Sequence, residues 1–205
     1  MKRIVPLTAI VVGPRIVLGV SLGWLLVATA LGAAGVVRAR PPAAVPLVLL
    51  ALTVLVLAAV WGLAEFRAWL AALDVRWLVA LHLTRFVGAY FLYLYGQGQL
   101  PYAFAVPGGI GDIAVATLAA VLLVAGPPRD ARRRLAYGAW NVLGLADILF
   151  VVTTGGRLVT TAPESMVALT RLPLSLLPTF LVPLIIASHV LLGVRLARPV
   201  TPTPR

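Results

Sequence analysis

Unbroken apolar runs of bilayer-crossing length decide what this chain can fold into. The clearest reaches from about Ala43 to Ala64 around LVLLALTVLVLAAV and carries no charge before Glu65. A helix needs about 20 such residues to cross the hydrocarbon core. Runs of this kind predict spans at about 16–37, 43–64, 77–95, 110–124, 135–152 and 174–196. The fold class expected is all-α, an integral membrane bundle of about six transmembrane helices forming a single membrane domain over residues 1–205. A barrel strand would alternate apolar and polar residues, whereas these runs are continuous. Charged residues make up 11% of the chain, less than half the roughly 25% of a soluble domain. A water-soluble fold of this size has too little interior to hide the remainder.

The basic excess sets orientation. The net charge is +11, which in a soluble chain would suggest a nucleic-acid partner. In a membrane protein, Lys and Arg collect in cytoplasmic loops and meet anionic lipid, so no nucleic acid is expected. Lys2, Arg3, Arg15, Arg67, Arg76, Arg129, Arg132, Arg133, Arg134, Arg195, Arg198 and Arg205 fall on one side of the expected spans. Arg38, Arg40, Arg157 and Arg171 fall on the other. Both termini are therefore expected in the cytoplasm, with the protein in a bacterial cytoplasmic (inner) membrane. The basic start and Ala28-Thr29-Ala30 resemble a signal peptide, but the apolar run continues to Val37 and suits an uncleaved span.

Against this background four ionisable residues stand inside spans: His82, Arg85, Asp147 and His189. Asp112 opens another. A charge at the bilayer centre costs about 2.5–3.5 kcal/mol on insertion scales, so such residues face the bundle interior and mark a site. At ~1.5 Å of rise per residue, His82, Asn141 and His189 lie ~8–10 Å above the cytoplasmic ends of three different helices. They share one layer. Arg85 lies ~12 Å in and Asp147 ~18 Å in, within reach of a flexible guanidinium. Arg85 follows His82 at i+3 and shares its face. The expected ligand-binding set is His82, Arg85, Asp112, Asn141, Asp147 and His189. Each also has a plain structural use: a histidine bonded to a carbonyl, or an arginine paired with Asp147 or Asp112. The two histidines also offer axial ligands for a haem, or a place for quinone between them.

Other features bear on the same region. Glycines in PGGIGD, Pro107 to Asp112, blur the start of the fourth span; Asp112 there is expected to cap its own helix. Gly96 to Gly111 reads as an external loop or re-entrant segment, and Arg157 to Arg171 as a second external loop with a helical turn at PESMVAL. Glu65 to Arg76 reads as an amphipathic surface helix. Pro183 frees the carbonyl of Thr179 near mid-membrane, either for a cavity or for a neighbouring helix. Tyr90, Tyr93, Tyr95 and Tyr102 suit an aromatic belt, and the tail at 199–205 is expected to be disordered.

Much chemistry is excluded. There are no cysteines, no Gly-x-Ser-x-Gly elbow and no His-Glu-x-x-His. Two histidines cannot make a three-histidine metal site within one chain. The run from Arg85 to Asp112, with LP, FAVPGG and IGD, followed by WN at 140–141 and Asp147, resembles an uncharacterised multi-spanning bacterial membrane protein family. That resemblance implies no activity and assigns no residue. The residues themselves point first to a buried polar site for a small molecule or ion, in transport or sensing. A membrane oxidoreductase or its anchor subunit, and a structural subunit with a membrane-protein partner or a second copy of itself, are the alternatives.

Overall fold

Helices of three kinds account for the elements of this computed structural model, which describes residues 13–197. Six helical stretches are long and apolar enough to cross a membrane. They comprise α1 (Pro14–Ala33), α2 (Ala44–Gly62), a composite third stretch (Val75–Gly96), α6 (Tyr102–Ala125), α7 (Ala131–Thr161) and a composite last stretch (Leu177–Ala197). Among the described residues there is no strand. Lys2, Arg3, Arg198, Arg205 and the tail expected to be disordered lie outside the described residues.

The third stretch begins as α4 (Val75–Ala80), tightens to a 3₁₀ helix (Leu81–Val87), and resumes as α5 (Gly88–Gly96). Before it lies α3 (Ala64–Ala72), the surface helix expected from EFRAWLAALDVR, with Phe66 and Trp69 stacked at 5.9 Å. It is shorter than the sequence suggested. Leu73 is extended, and Asp74 instead caps α4 by accepting from the Arg76 amide at 2.8 Å. A 3₁₀ helix at Pro163–Thr170 contains PESMVAL.

Two expected boundaries are corrected. Residues from Tyr102 to Gly111 are not a loop: α6 starts at Tyr102 and carries Pro107 inside it. The glycines that suggested a loop are a packing surface. A Cβ built on Gly88 of α5 would strike the carbonyl oxygen of Gly109 and come within 2.8 Å of the Asp112 Cβ. In lipid, small residues of this kind let helices approach closely. Likewise α7 continues past Val152 to Thr161, taking in TTGGR. Its hydroxyls bond back to their own helix, with Thr153 donating to the Leu149 carbonyl at 2.8 Å and Thr161 to that of Arg157 at 2.9 Å. At ~1.5 Å per residue, 31 residues reach ~46 Å, longer than the ~30 Å core.

The last stretch opens with a π turn, Leu177–Leu181, and continues as α8 (Val182–Ala197). Pro183 has no N–H to give the Thr179 carbonyl. That oxygen accepts instead from the indole of Trp24 on α1, at 2.8 Å. The freed carbonyl thus ties α1 to the bundle.

The composite third stretch, α6, α7 and α8 form the packed interior. Only 11% of α1 and of α2 is buried, against 50% of the last stretch. The first two helices therefore present most of their surface outward. The apolar core has two ends. One joins Phe91, Phe104, Val159 and Met166; the other joins Val79, Val115, Tyr137 and Leu192. Asp112 of α6 and Asp147 of α7 fall between those ends.

Candidate functional site

Local helix geometry aims the first two polar side chains. In a 3₁₀ helix, residues at i and i+3 eclipse one another. His82 and Arg85 occupy such positions, so the tightening at Leu81–Val87 stacks both on one face. Both are 1% exposed. They meet Asp112 from α6, Trp140, Asn141 and Asp147 from α7, and Ser188 and His189 from α8.

Arg85 forms the upper part of this column. Its Nε donates to Asp112 Oδ1 at 2.6 Å, Nη1 to the Gly144 carbonyl at 2.9 Å, and Nη2 to Asp147 Oδ2. The Asp112 side chain is 5% exposed and that of Asp147 15%. Three of the five guanidinium N–H groups are engaged, and two remain. The expectation that Asp112 caps its helix is corrected. It lies deep within α6 because α6 starts ten residues earlier, at Tyr102, and its carboxylate serves Arg85 instead.

The lower part is built on the two histidines, whose ring centroids are 4.2 Å apart and tilted by 51°. Trp140 packs edge-on against His82 at 4.9 Å and lies 5.6 Å from His189. The network fixes the ring hydrogens. Asn141 Nδ2 donates to the His189 carbonyl at 3.1 Å, so its Oδ1 accepts from His189 Nδ1 at 2.9 Å. Ser188 donates to the Ile185 carbonyl at 2.8 Å, so its oxygen accepts from His82 Nε2 at 2.9 Å. His82 Nδ1 and His189 Nε2 remain, both buried and without a hydrogen-bond partner. In a neutral ring each is a bare acceptor.

All six expected residues come together, as two adjoining groups. The sequence reading left four contributors out of the set: Trp140, Ser188, Gly111 and Gly144. Trp140 and Ser188 belong to the cluster, and the glycines make room for it. A Cβ on Gly111 would collide with the Asp147 carboxylate, and one on Gly144 would lie 2.6 Å from His189 Cε1. The signal available in the sequence was a glycine close to an intramembrane acid on the same helix, Gly111 beside Asp112 and Gly144 three residues before Asp147.

The histidine pair does not fit a haem held between its members. Two iron–nitrogen bonds near 2 Å each, plus the ring radii, would set the centroids about 6 Å apart with a macrocycle plane between them. At 4.2 Å no plane fits.

Beside the column lies a cavity of ≈ 80 Å³, open to the centres of water-sized molecules. Thr84, Arg85 and Asp112 line its polar end, and Ile148, Val151, Val152 and Val159 of α7 form one wall.

A family model, Domain of unknown function (DUF8737), matches residues 42–197, which include every residue of the column. No curated protein and no solved structure matches the chain.

Proposed function

The chain belongs to the Domain of unknown function (DUF8737) family, and from that premise we propose that it is a multi-pass protein of the bacterial cytoplasmic membrane whose buried column binds a small molecule or ion in a transport or sensing role. A family so described lends no activity, so the reading rests on the column itself. The ligand-binding residues are His82, Arg85, Asp112, Asn141, Asp147 and His189. Both termini face the cytoplasm, following the distribution of Lys and Arg.

One observation carries the reading: a fully buried arginine, flanked by two carboxylates inside apolar spans, also lines a cavity. Buried intramembrane charges cluster at ligand and ion pathways. A concave apolar site with a few convergent polar groups is the usual form of a small-molecule site. The unpartnered nitrogens of His82 and His189 add unused hydrogen-bonding capacity in the same column, outside the cavity lining.

Thermal unfolding of the purified full-length protein tests this, against sodium, potassium, magnesium, and an extract of bacterial membrane lipids. At least one should raise the midpoint in wild type and lose that effect in Asp147→Asn, chosen because Asp147 is the most exposed member of the ion-pair cluster. If none shifts wild type, and Asp147→Asn supports growth like wild type in a deletion strain, the column is only a structural ion pair.

A further inference from the structure

The shape of the cavity says more about the ligand than the column alone. Ile148, Val152, Gly155 and Val159 recur at intervals of three and four along α7, so they form one stripe. Eleven residues separate the first from the last, which is ~16 Å of helix, about the thickness of one leaflet's hydrocarbon. The cavity is therefore a slot parallel to the helices. Its walls are apolar for this length, and its charged groups lie at one end. On one side the wall is α2, through Val45, Pro46 and Leu49. Most of the remaining surface of α2 faces outward, so a single helix separates the slot from lipid.

A hydrated ion or a sugar would leave the walls of such a slot unmatched, because they offer no hydrogen bonds. A hydrocarbon chain matches them. The end of the slot then selects the head. Two guanidinium N–H groups of Arg85 remain to donate, and Asp112 Oδ2 makes no hydrogen bond among the described residues. A head that both accepts and donates satisfies both. An anionic head is disfavoured: the formal charge of Arg85, Asp112 and Asp147 is −1 with both carboxylates ionised, and zero with one ionised.

Resting on the site proposed above, we infer that the ligand is a single-chain amphiphile, its acyl or prenyl tail in the α2–α7 slot and its uncharged hydroxyl-bearing head at Arg85 and Asp112. Alcohols and hydroquinones share this head chemistry; ionised fatty acids and lipid phosphates do not.

Photo-crosslinking of the full-length protein in nanodiscs tests the inference, with a diazirine-bearing hexadecanol and the matching hexadecanoate, kept ionised at alkaline pH, as probes. The alcohol should label peptides containing Val45–Leu49 and Ile148–Val159. It should exceed the acid about tenfold, the ratio expected for one hydrogen bond to a charged group. Unlabelled decylhydroquinone should compete if the head is a quinol, and unlabelled hexadecanol alone should compete if it is a simple alcohol. Gly156→Leu places a side chain in the slot and should abolish labelling. Gly156 has room for the first carbon, its ideal Cβ lying 3.7 Å from Pro46. Should that variant not fold, Val152→Phe fills the same space. Equal labelling by acid and alcohol overturns the inference, as does labelling confined to lipid-facing residues such as Leu18 and Leu26. A cation that stabilises wild type but not Asp147→Asn, with no slot labelling, overturns the amphiphile and leaves the wider reading standing.

Discussion

Replacing Arg85 by methionine removes the one cation of the column while keeping most of its volume. Its three hydrogen bonds join three helices: the 3₁₀ segment to α6 through Asp112, and to α7 through Asp147 and the Gly144 carbonyl. Two of them end on carboxylates, and hydrogen bonds to charged groups contribute about 1.5–3 kcal/mol each, so their loss alone gives about 3–6 kcal/mol. Removing one partner of a buried ion pair costs about 3–5 kcal/mol, chiefly because it strands the other. Asp147 keeps some exposure, whereas the Asp112 side chain is 5% exposed, so one carboxylate is stranded rather than two. The expected loss is therefore in the lower half of that range, about 3–4 kcal/mol. Unfolding in mixed micelles of rising dodecyl sulfate content, followed by circular dichroism, measures it. A companion variant, Arg85→Met with Asp112→Leu and Asp147→Asn, should recover to within about 1–2 kcal/mol of wild type, since apolar replacement of a whole buried ion cluster is often neutral or stabilising. An Arg85→Met protein within about 1 kcal/mol of wild type would refute the ion-pair geometry. A triple variant no more stable than the single one would refute the claim that stranded charge is the cause.

Two glycines of α7 make a matched pair. Gly144→Ala should destabilise by about 1–3 kcal/mol through overpacking against His189, whereas Gly138, with nothing within 4 Å of its Cβ, should gain up to about 1 kcal/mol as alanine from helix propensity; the same micelle titration reads both. Trp24→Phe keeps the edge contact with Phe180 at 5.0 Å but leaves the Thr179 carbonyl without its donor. The expected cost is about 1–3 kcal/mol, and accessibility of α1 to a membrane-soluble cysteine label introduced at position 28 should rise as that helix loosens.

Six spans could be read from the sequence because run length is a direct statement about bilayer thickness. The same rule failed where residues with poor intrinsic helix propensity continue a span. Tyr102 to Gly111 and Thr153 to Thr161 contain proline, glycine and threonine, which mark loops in water. Inside a bundle those residues are retained in the helix: glycine admits a neighbouring backbone, as at Gly88 and Gly109, and threonine bonds back to its own turn. Moving the start of α6 changed the reading of Asp112 from a cap to a buried partner. The shared depth of His82, Asn141 and His189 was legible because rise per residue is fixed. The pairing of Arg85 with both Asp112 and Asp147 required knowing which face each helix turns inward. The slot was illegible, since a void between α2 and α7 follows from how eight elements pack and no single stretch encodes it.

The histidines separate a strut from a site more sharply than the ion pair does. Arg85, Asp112 and Asp147 pair with one another, and a cluster of that kind serves equally to hold helices together. His82 and His189 each use one nitrogen, on Ser188 and Asn141, and leave the other buried without a partner. An unpaired buried acceptor costs about 1–3 kcal/mol, so two such deficits on rings 4.2 Å apart work against stability. Phenylalanine at 82 would keep the packing against Trp140 without the deficit. Buried polar groups left unpaired call for a role outside the fold's own accounting, and a partner bound for only part of the time would supply one. The ion pair then holds the helices whether or not a ligand is bound, whereas the unpaired histidine nitrogens beside it are a deficit that packing alone does not explain. Variants that remove His82 Nδ1 should raise stability while lowering ligand response, the reverse of the order expected from a strut.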